Sequence, residues 1–192
     1  MLRRGWWLGM VVLGFAVGST AFFTSRQQPV YRATTMLVVT PNTRVEEVAD
    51  IMRGLETLER RTVLATFARI PMAPEMLPAA AERLERDTAE LASYRIAASV
   101  VPSTNIIRID VDGPAPHLAA DMANAAAAQT RDEAGSIYRI FTMRTLAEAR
   151  PGTRPVHPDP RRNLTVAVIL GAFAAGLAVF ALDRVLRPVV VS

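Results

Sequence analysis

Residues 6–23, WWLGMVVLGFAVGSTAFF, and residues 164–182, LTVAVILGAFAAGLAVFAL, are two charge-free apolar runs, one near each end of a 192-residue chain. At a rise of about 1.5 Å per helical residue, each run just covers a hydrocarbon core of about 30 Å. Together they predict two membrane spans that hold the chain between them on one side of the bilayer. Arg3 and Arg4 precede the first run, and Arg184 and Arg187 follow the second with only Asp183 against them. Short flanks rich in arginine stay in the cytoplasm, so both termini are expected there. Ala16-Val17-Gly18 offers small residues to a signal peptidase, but Phe22 and Phe23 carry the run past that point, and the first span is expected to be retained.

The expected divisions are a cytoplasmic N-terminus (1–5), a first span (6–23), an extracytoplasmic domain (24–149), a proline-rich spacer (150–163), a second span (164–182) and a cytoplasmic tail (183–192). The fold class is a membrane protein whose two transmembrane helices flank an α+β domain. That domain is expected to hold a small sheet of at least three strands packed with helices, one of them long. Between the spans, 18 Arg stand against 17 Asp plus Glu, so three of the four net positive charges belong to the termini and the charge does not point to nucleic acid. With no cysteine, the chain has neither a disulfide nor a thiolate nucleophile or metal ligand.

Within the outer segment, Val30 to Thr40 is rich in β-branched residues and stops at Pro41-Asn42, which predicts a strand. Thr43 and Glu46 have the spacing of a capping box, and apolar positions from Val48 to Phe67 recur at three and four as on one face of a helix. Pro78 suits the first turn of a second helix running to Leu91. Tyr94, Ile96, Ala98 and Val100 alternate with polar or small residues. After the turn Pro102-Ser103-Thr104-Asn105, so do Ile107, Ile109 and Val111, and the two runs predict a hairpin. From His117 to Ala149 no proline intervenes, and Pro116 fits a first turn, so a helix of about 50 Å is expected. Such a helix exceeds the partner surface of one small domain, and its distal residues Ile137, Ile140 and Phe141 are the expected subunit contacts. A break at Gly135 is the alternative. Pro151, Pro155, Pro158 and Pro160 then predict a stiff extended spacer, with Arg161 and Arg162 at the depth of lipid phosphates.

The order of these elements resembles the chain-length determinant family, the polysaccharide co-polymerases of bacterial surface-polysaccharide assembly. The resemblance rests on the strand beginning Tyr31-Arg32-Ala33, on the segment from Thr104 to Ala125, and on Asp159-Pro160-Arg161 followed by Gly171 and Gly176. Asp and Arg stand where the family's Ser-Pro-Lys-like element has Ser and Lys. The short outer segment points to the compact exopolysaccharide or capsule type. The resemblance implies a homo-oligomer among membrane lipids that acts with a polysaccharide polymerase and modulates chain length or export without catalysis. No G-x-x-x-x-G-K-[ST] phosphate loop occurs, so a participating tyrosine kinase is expected to be a separate cytoplasmic polypeptide.

The residues themselves favour no enzyme. His117 and His157, the two histidines, lie far apart in sequence. Asp110 and Asp112 share one side of a strand but are expected at a solvated sheet surface, and no cofactor is implied. Tyr31, Tyr94 and Tyr138 are isolated, so no aromatic platform for sugar is indicated. Gly14-x-x-x-Gly18 and Ala172-x-x-x-Gly176, with Gly171, permit close helix packing in the bilayer. The competing function with the same topology is a structural adaptor of an envelope or export complex that has no effect on chain length.

Overall fold

The computed structural model describes residues 6–42, 62–137 and 141–185. The capping box and most of the helix expected after Asn42 lie outside them. The chain divides into two compact units, Pro29–His157 and the pair of terminal segments 1–28 and 158–192.

The unit Pro29–His157 is built on β1 (Val30–Pro41), a strand whose side chains alternate between a buried and a half-exposed face. Ala33, Thr35, Leu37 and Val39 turn inward and are almost fully buried. After a short helix α2 (Thr62–Phe67) and a tight 3-10 turn (Ile70–Met72) come α3 (Met76–Arg83) and α4 (Thr88–Leu91). The single helix expected from Pro78 to Leu91 is therefore two. Glu85 adopts a left-handed conformation with φ 52°, and the Arg86 amide bonds back to the Ala81 carbonyl, closing α3. Asp87 then caps α4 by accepting from the Ala89 amide. A continuous helix would forbid both of these local bonds.

Strands β2 (Arg95–Val100) and β3 (Ile106–Gly113) form the expected hairpin, paired from Arg95 opposite Asp112 to Val100 opposite Ile107. Its turn is closed by the Val101 amide to the Ile106 carbonyl, with Ser103 at φ 61°. The long helix α5 (Pro116–Ile137) starts at its proline as expected but stops well short of Ala149. Phe141–Ala147 is instead strand β4, antiparallel to β1. The spacing of Ile137, Ile140 and Phe141 fits a helix. However, Phe141 and Met143 also alternate with Thr142 and Arg144, and the unpaired edge of β1 decides in favour of the strand.

A three-residue strand β5 (Pro155–His157) pairs with the start of β1. The five described strands run in the order β2-β3-β1-β4, with β5 on the β1 edge that also carries β4. One face of this antiparallel sheet is covered by α5. Ala119, Ala120, Ala123, Ala126 and Ala127 are buried there against Leu37, Ile107, Ile109 and Val111. Alanine presents only a methyl group to the sheet, so the backbones come close and the larger strand residues fill the layer. Phe67 and Phe141 meet edge to face at 5.9 Å in the same core.

In the other unit, α1 (Trp6–Arg26) and α6 (Pro160–Val185) pack as an antiparallel pair. Gly9 lies against Ala175 and Val179, Gly171 lies against Leu13 and Ala16, and the Asn163 amide reaches the Thr24 hydroxyl at 3.3 Å. Both helices are long and apolar enough to cross a membrane. The hydroxyls of Ser19, Thr20 and Thr165 bond to the carbonyls of Phe15, Ala16 and Arg161 one turn back, so none needs water in the apolar interval.

Candidate functional site

The proline-rich stretch enters the domain's edge through a clamp that the residue pattern did not reveal. Asn124, on α5, donates its side-chain amide to the Ala149 carbonyl at 3.2 Å and accepts from the Ala149 amide at 2.8 Å. A side-chain amide mimics a strand partner here, and fixes the chain just after β4. Beyond it, a Cβ on Gly152 would stand 2.8 Å from the Arg32 carbonyl oxygen, so the chain passes directly against the β1 backbone. Pro155 then stands opposite Tyr31 and His157 opposite Val30. Proline is compatible with this position because β5 is an edge strand and needs no donor on its free side. Of the segment expected as an extended spacer, Pro155–His157 is a strand tied to the sheet, whereas residues 160–163 already form the first turn of α6. The two chain ends of the domain leave it side by side.

Asn124→Ala should lower the stability of the outer domain by about 2 kcal/mol, since it removes two hydrogen bonds and leaves the Ala149 backbone groups unsatisfied. Urea unfolding followed by circular dichroism reads this directly, with Asn124→Asp expected between the two because it keeps the acceptor and loses the donor.

Beside this edge, the face of the sheet away from α5 carries charge. Arg32 makes a bidentate pair with Asp112, both bonds 2.6 Å long, and Arg95 lies opposite the same aspartate. The hydrogen bond to Asp112 pushes the Arg32 guanidinium pKa up, with partial burial acting against it. Asp110 accepts from Thr34 at 2.6 Å and lies 3.5 Å from Arg108. Asp110 and Asp112 are therefore both engaged with cations or a hydroxyl. Among the described residues no group of three or more His, Cys, Asp and Glu is placed to hold a metal ion. Tyr94 lies with its ring over Gly113, and burial raises its hydroxyl pKa against an opposing bond from the Ala115 backbone. Its ring borders an open groove of about 340 Å³ with Pro71, Met72, Met76, Arg95 and Ile96, in which it is the one aromatic side chain among the described residues.

Of the residues expected to pack in the membrane, Gly171 stands in the helix contact, and a Cβ there would meet Ala16 and Leu13 at 3.0 Å. A Cβ added at Gly14, Gly18 or Gly176 would meet nothing within 4 Å, and Ala172 is exposed. Gly9 does the corresponding work on α1, and its seven-residue spacing from Ala16 was the signal that could have found it. Of the expected subunit contacts, Ile137 is 58% exposed at the end of α5, Phe141 is in the core, and Ile140 lies outside the described residues. At the start of α6, Pro160 occupies the first turn, and Asp159 caps it by accepting from the amides of Arg161 and Arg162 at 3.0 and 3.1 Å. Pro151 and Pro158 flank the β5 pairing without taking part in it.

No family model matches the chain. Its sequence is 23% identical to the "Capsular polysaccharide biosynthesis protein CpsC" of Streptococcus pneumoniae, and the alignment covers 98% of this chain and 85% of that protein. The chain is similar to CpsC along almost its whole length. The likeness takes in both apolar helices and the domain between them, and it agrees with the resemblance to the chain-length determinant family read from the residues. The homology to CpsC and the fold together describe a two-span membrane protein with a central extracytoplasmic domain.

Proposed function

We propose that this chain is a non-catalytic polysaccharide co-polymerase of a bacterial inner membrane, with both termini cytoplasmic and the domain of Pro29–His157 periplasmic. The observation that carries the reading is the end-to-end homology with a capsular polysaccharide biosynthesis protein, combined with a fold in which two membrane helices enclose one domain. Several copies would stand together next to the polymerase and set chain length by geometry or transient contact. The stretch containing Pro151, Pro155, Pro158, Pro160 and Arg161 would serve as the surface next to the polymerase, and the exposed Ile137 as a subunit contact. Where a tyrosine kinase takes part, it would be a separate cytoplasmic protein.

Deleting the gene and sizing the surface polysaccharide tests this function. A co-polymerase gives polymer of shifted length, whereas an adaptor without influence on length gives loss of product. Replacing Pro155, Pro158 and Pro160 together with alanine should shift the length distribution while leaving membrane insertion intact. An unchanged distribution at normal expression would remove this segment from length control.

A further inference from the structure

We propose that the uncovered face of the sheet docks on the helix layer of a second copy of this chain, so that copies join head to tail. The several copies come from the co-polymerase reading, and the two surfaces that meet come from the fold. Every described helix of the unit Pro29–His157 lies on one face of the sheet. Leu64 and Phe67 of α2 share a buried cluster with Leu37 and Ile107, and Ala81 of α3 and Leu91 of α4 share another with Ala33, Val111 and Ala119. Successive strand residues point to opposite faces, so the alternate positions are left uncovered by the described residues.

That open face is basic. All the charged residues of β1–β4 stand on it, the four arginines Arg32, Arg95, Arg108 and Arg144 against Asp110 and Asp112, for a net charge of +2. Arg32 engages Asp112, and Arg108 and Thr34 engage Asp110, whereas Arg95 and Arg144 form no ion pair among the described residues. Val38 stands opposite both Ile106 and Arg144, and the two apolar side chains are only half-buried. Free arginines beside an apolar pair, with no free carboxylate, have the composition of a protein contact surface rather than of a solvated sheet face.

The helix layer has the opposite sign. Residues 76–91 hold Glu82, Glu85, Asp87 and Glu90 against two arginines, and α5 holds three acids against one arginine, so each stretch has a net charge of −2. Glu82, Glu85, Asp121 and Glu133 are exposed there and form no ion pair among the described residues. The sheet separates these acids from the free arginines of the same copy, so the two surfaces can meet only between copies. Each repels itself, which opposes a two-fold contact, and each attracts the other, which favours a repeating contact of the kind that closes rings. The ends match as well. Helix α4 stops at Leu91, just before β2 begins at Arg95, and α5 stops at Ile137, just before β4 begins at Phe141. Rotation about an axis along the strands brings acidic residues 82–90 beside Arg95 and Arg32 of the next copy, and the exposed Ile137 beside its Val38 and Ile106.

Two single-cysteine forms of the full chain, which has no native cysteine, provide the test: A97C on the open sheet face and A89C in the acidic stretch, both at exposed positions. The two forms carry different tags, are expressed in one membrane and are treated with a flexible bismaleimide. The expected result is a mixed product containing both tags, with little product from either form alone. R95E/R144E in the A97C chain should lower that product about tenfold, and E82R/E85R added to the A89C chain should restore it. A97C joined mainly to A97C, or to another protein, would overturn the proposal by giving the face a different occupant. So would the absence of mixed product, or a loss in a folded variant that the second reversal does not restore. Should R95E/R144E misfold, R144E alone is expected to lower the product severalfold, and an unchanged product is equally decisive. Multimers that persist by light scattering without the mixed cross-link overturn the head-to-tail contact and leave the co-polymerase reading standing, since that reading is tested by polymer length.

Discussion

Gly113→Ala is expected to destabilise the outer domain by about 2–3 kcal/mol, a large effect for one methyl group. An added Cβ would fall against Cδ1 and Cε1 of Tyr94, well inside the ring's van der Waals surface. The ring has little room to yield. It packs against the cluster containing Ala33, Leu91, Val111 and Met122, while the Ala115 backbone holds its hydroxyl. Either the ring leaves this position, exposing what it covers and losing the bond, or the end of β3 moves away from β1, where Gly113 pairs with Tyr31. A urea midpoint for the full chain, measured by circular dichroism, reports the loss. Removing the ring should relieve the conflict, so Tyr94→Ala and Gly113→Ala together should cost less than the sum of the two. Strict additivity would show that the ring and the glycine are independent and that the close approach carries no energy.

The second large effect is expected in the membrane. Gly171→Ile should push the two helices apart, from an axis separation of about 8 Å toward about 10 Å, because Leu13 and Ala16 already stand where its side chain must go. Isoleucine at Gly14, Gly18 or Gly176 should leave the pair as it is, since each faces open space. The chain has no native cysteine, so spin labels can be placed cleanly on the lipid-facing positions Phe15 and Phe173 and the distance read by electron paramagnetic resonance. An unchanged distance in Gly171→Ile would mean that the helices are not joined through this glycine. A widening in Gly14→Ile would place the contact on the opposite face of α1.

These two glycines show where reading by pattern stops. Gly14-x-x-x-Gly18 has the spacing of a packing motif, but spacing alone does not say which side of a helix meets its neighbour. The observed contact follows another line, Gly9, Leu13 and Ala16 against Gly171, Ala175 and Val179, which is set by the angular phase of both helices at once. Gly113 was readable as the end of a strand. That it is required beneath Tyr94 depends on a residue brought beside it by the β2–β3 pairing. Asn124 was similarly inconspicuous in a helix rich in alanine, because its partner is Ala149, reached only after the chain has turned back through β4. Phe141 satisfied both a helical and a strand spacing, and nothing local distinguishes them.

What the residues determined by themselves was the frame: two spans, the strand from Val30, the hairpin across Pro102–Asn105 and the start of a helix at Pro116. Each depends on solvent preference or on backbone restrictions within a few neighbouring positions, and such terms act before distant parts of the chain meet. The folded structure alone decided that Phe141–Ala147 is a strand, that Pro155–His157 joins the sheet, and that Gly9 and Gly171 stand in the helix contact. Those outcomes depend on which hydrogen-bonding edge and which helix face remain unfilled once the other elements are in place, a property of the assembled fold that no short stretch of chain contains.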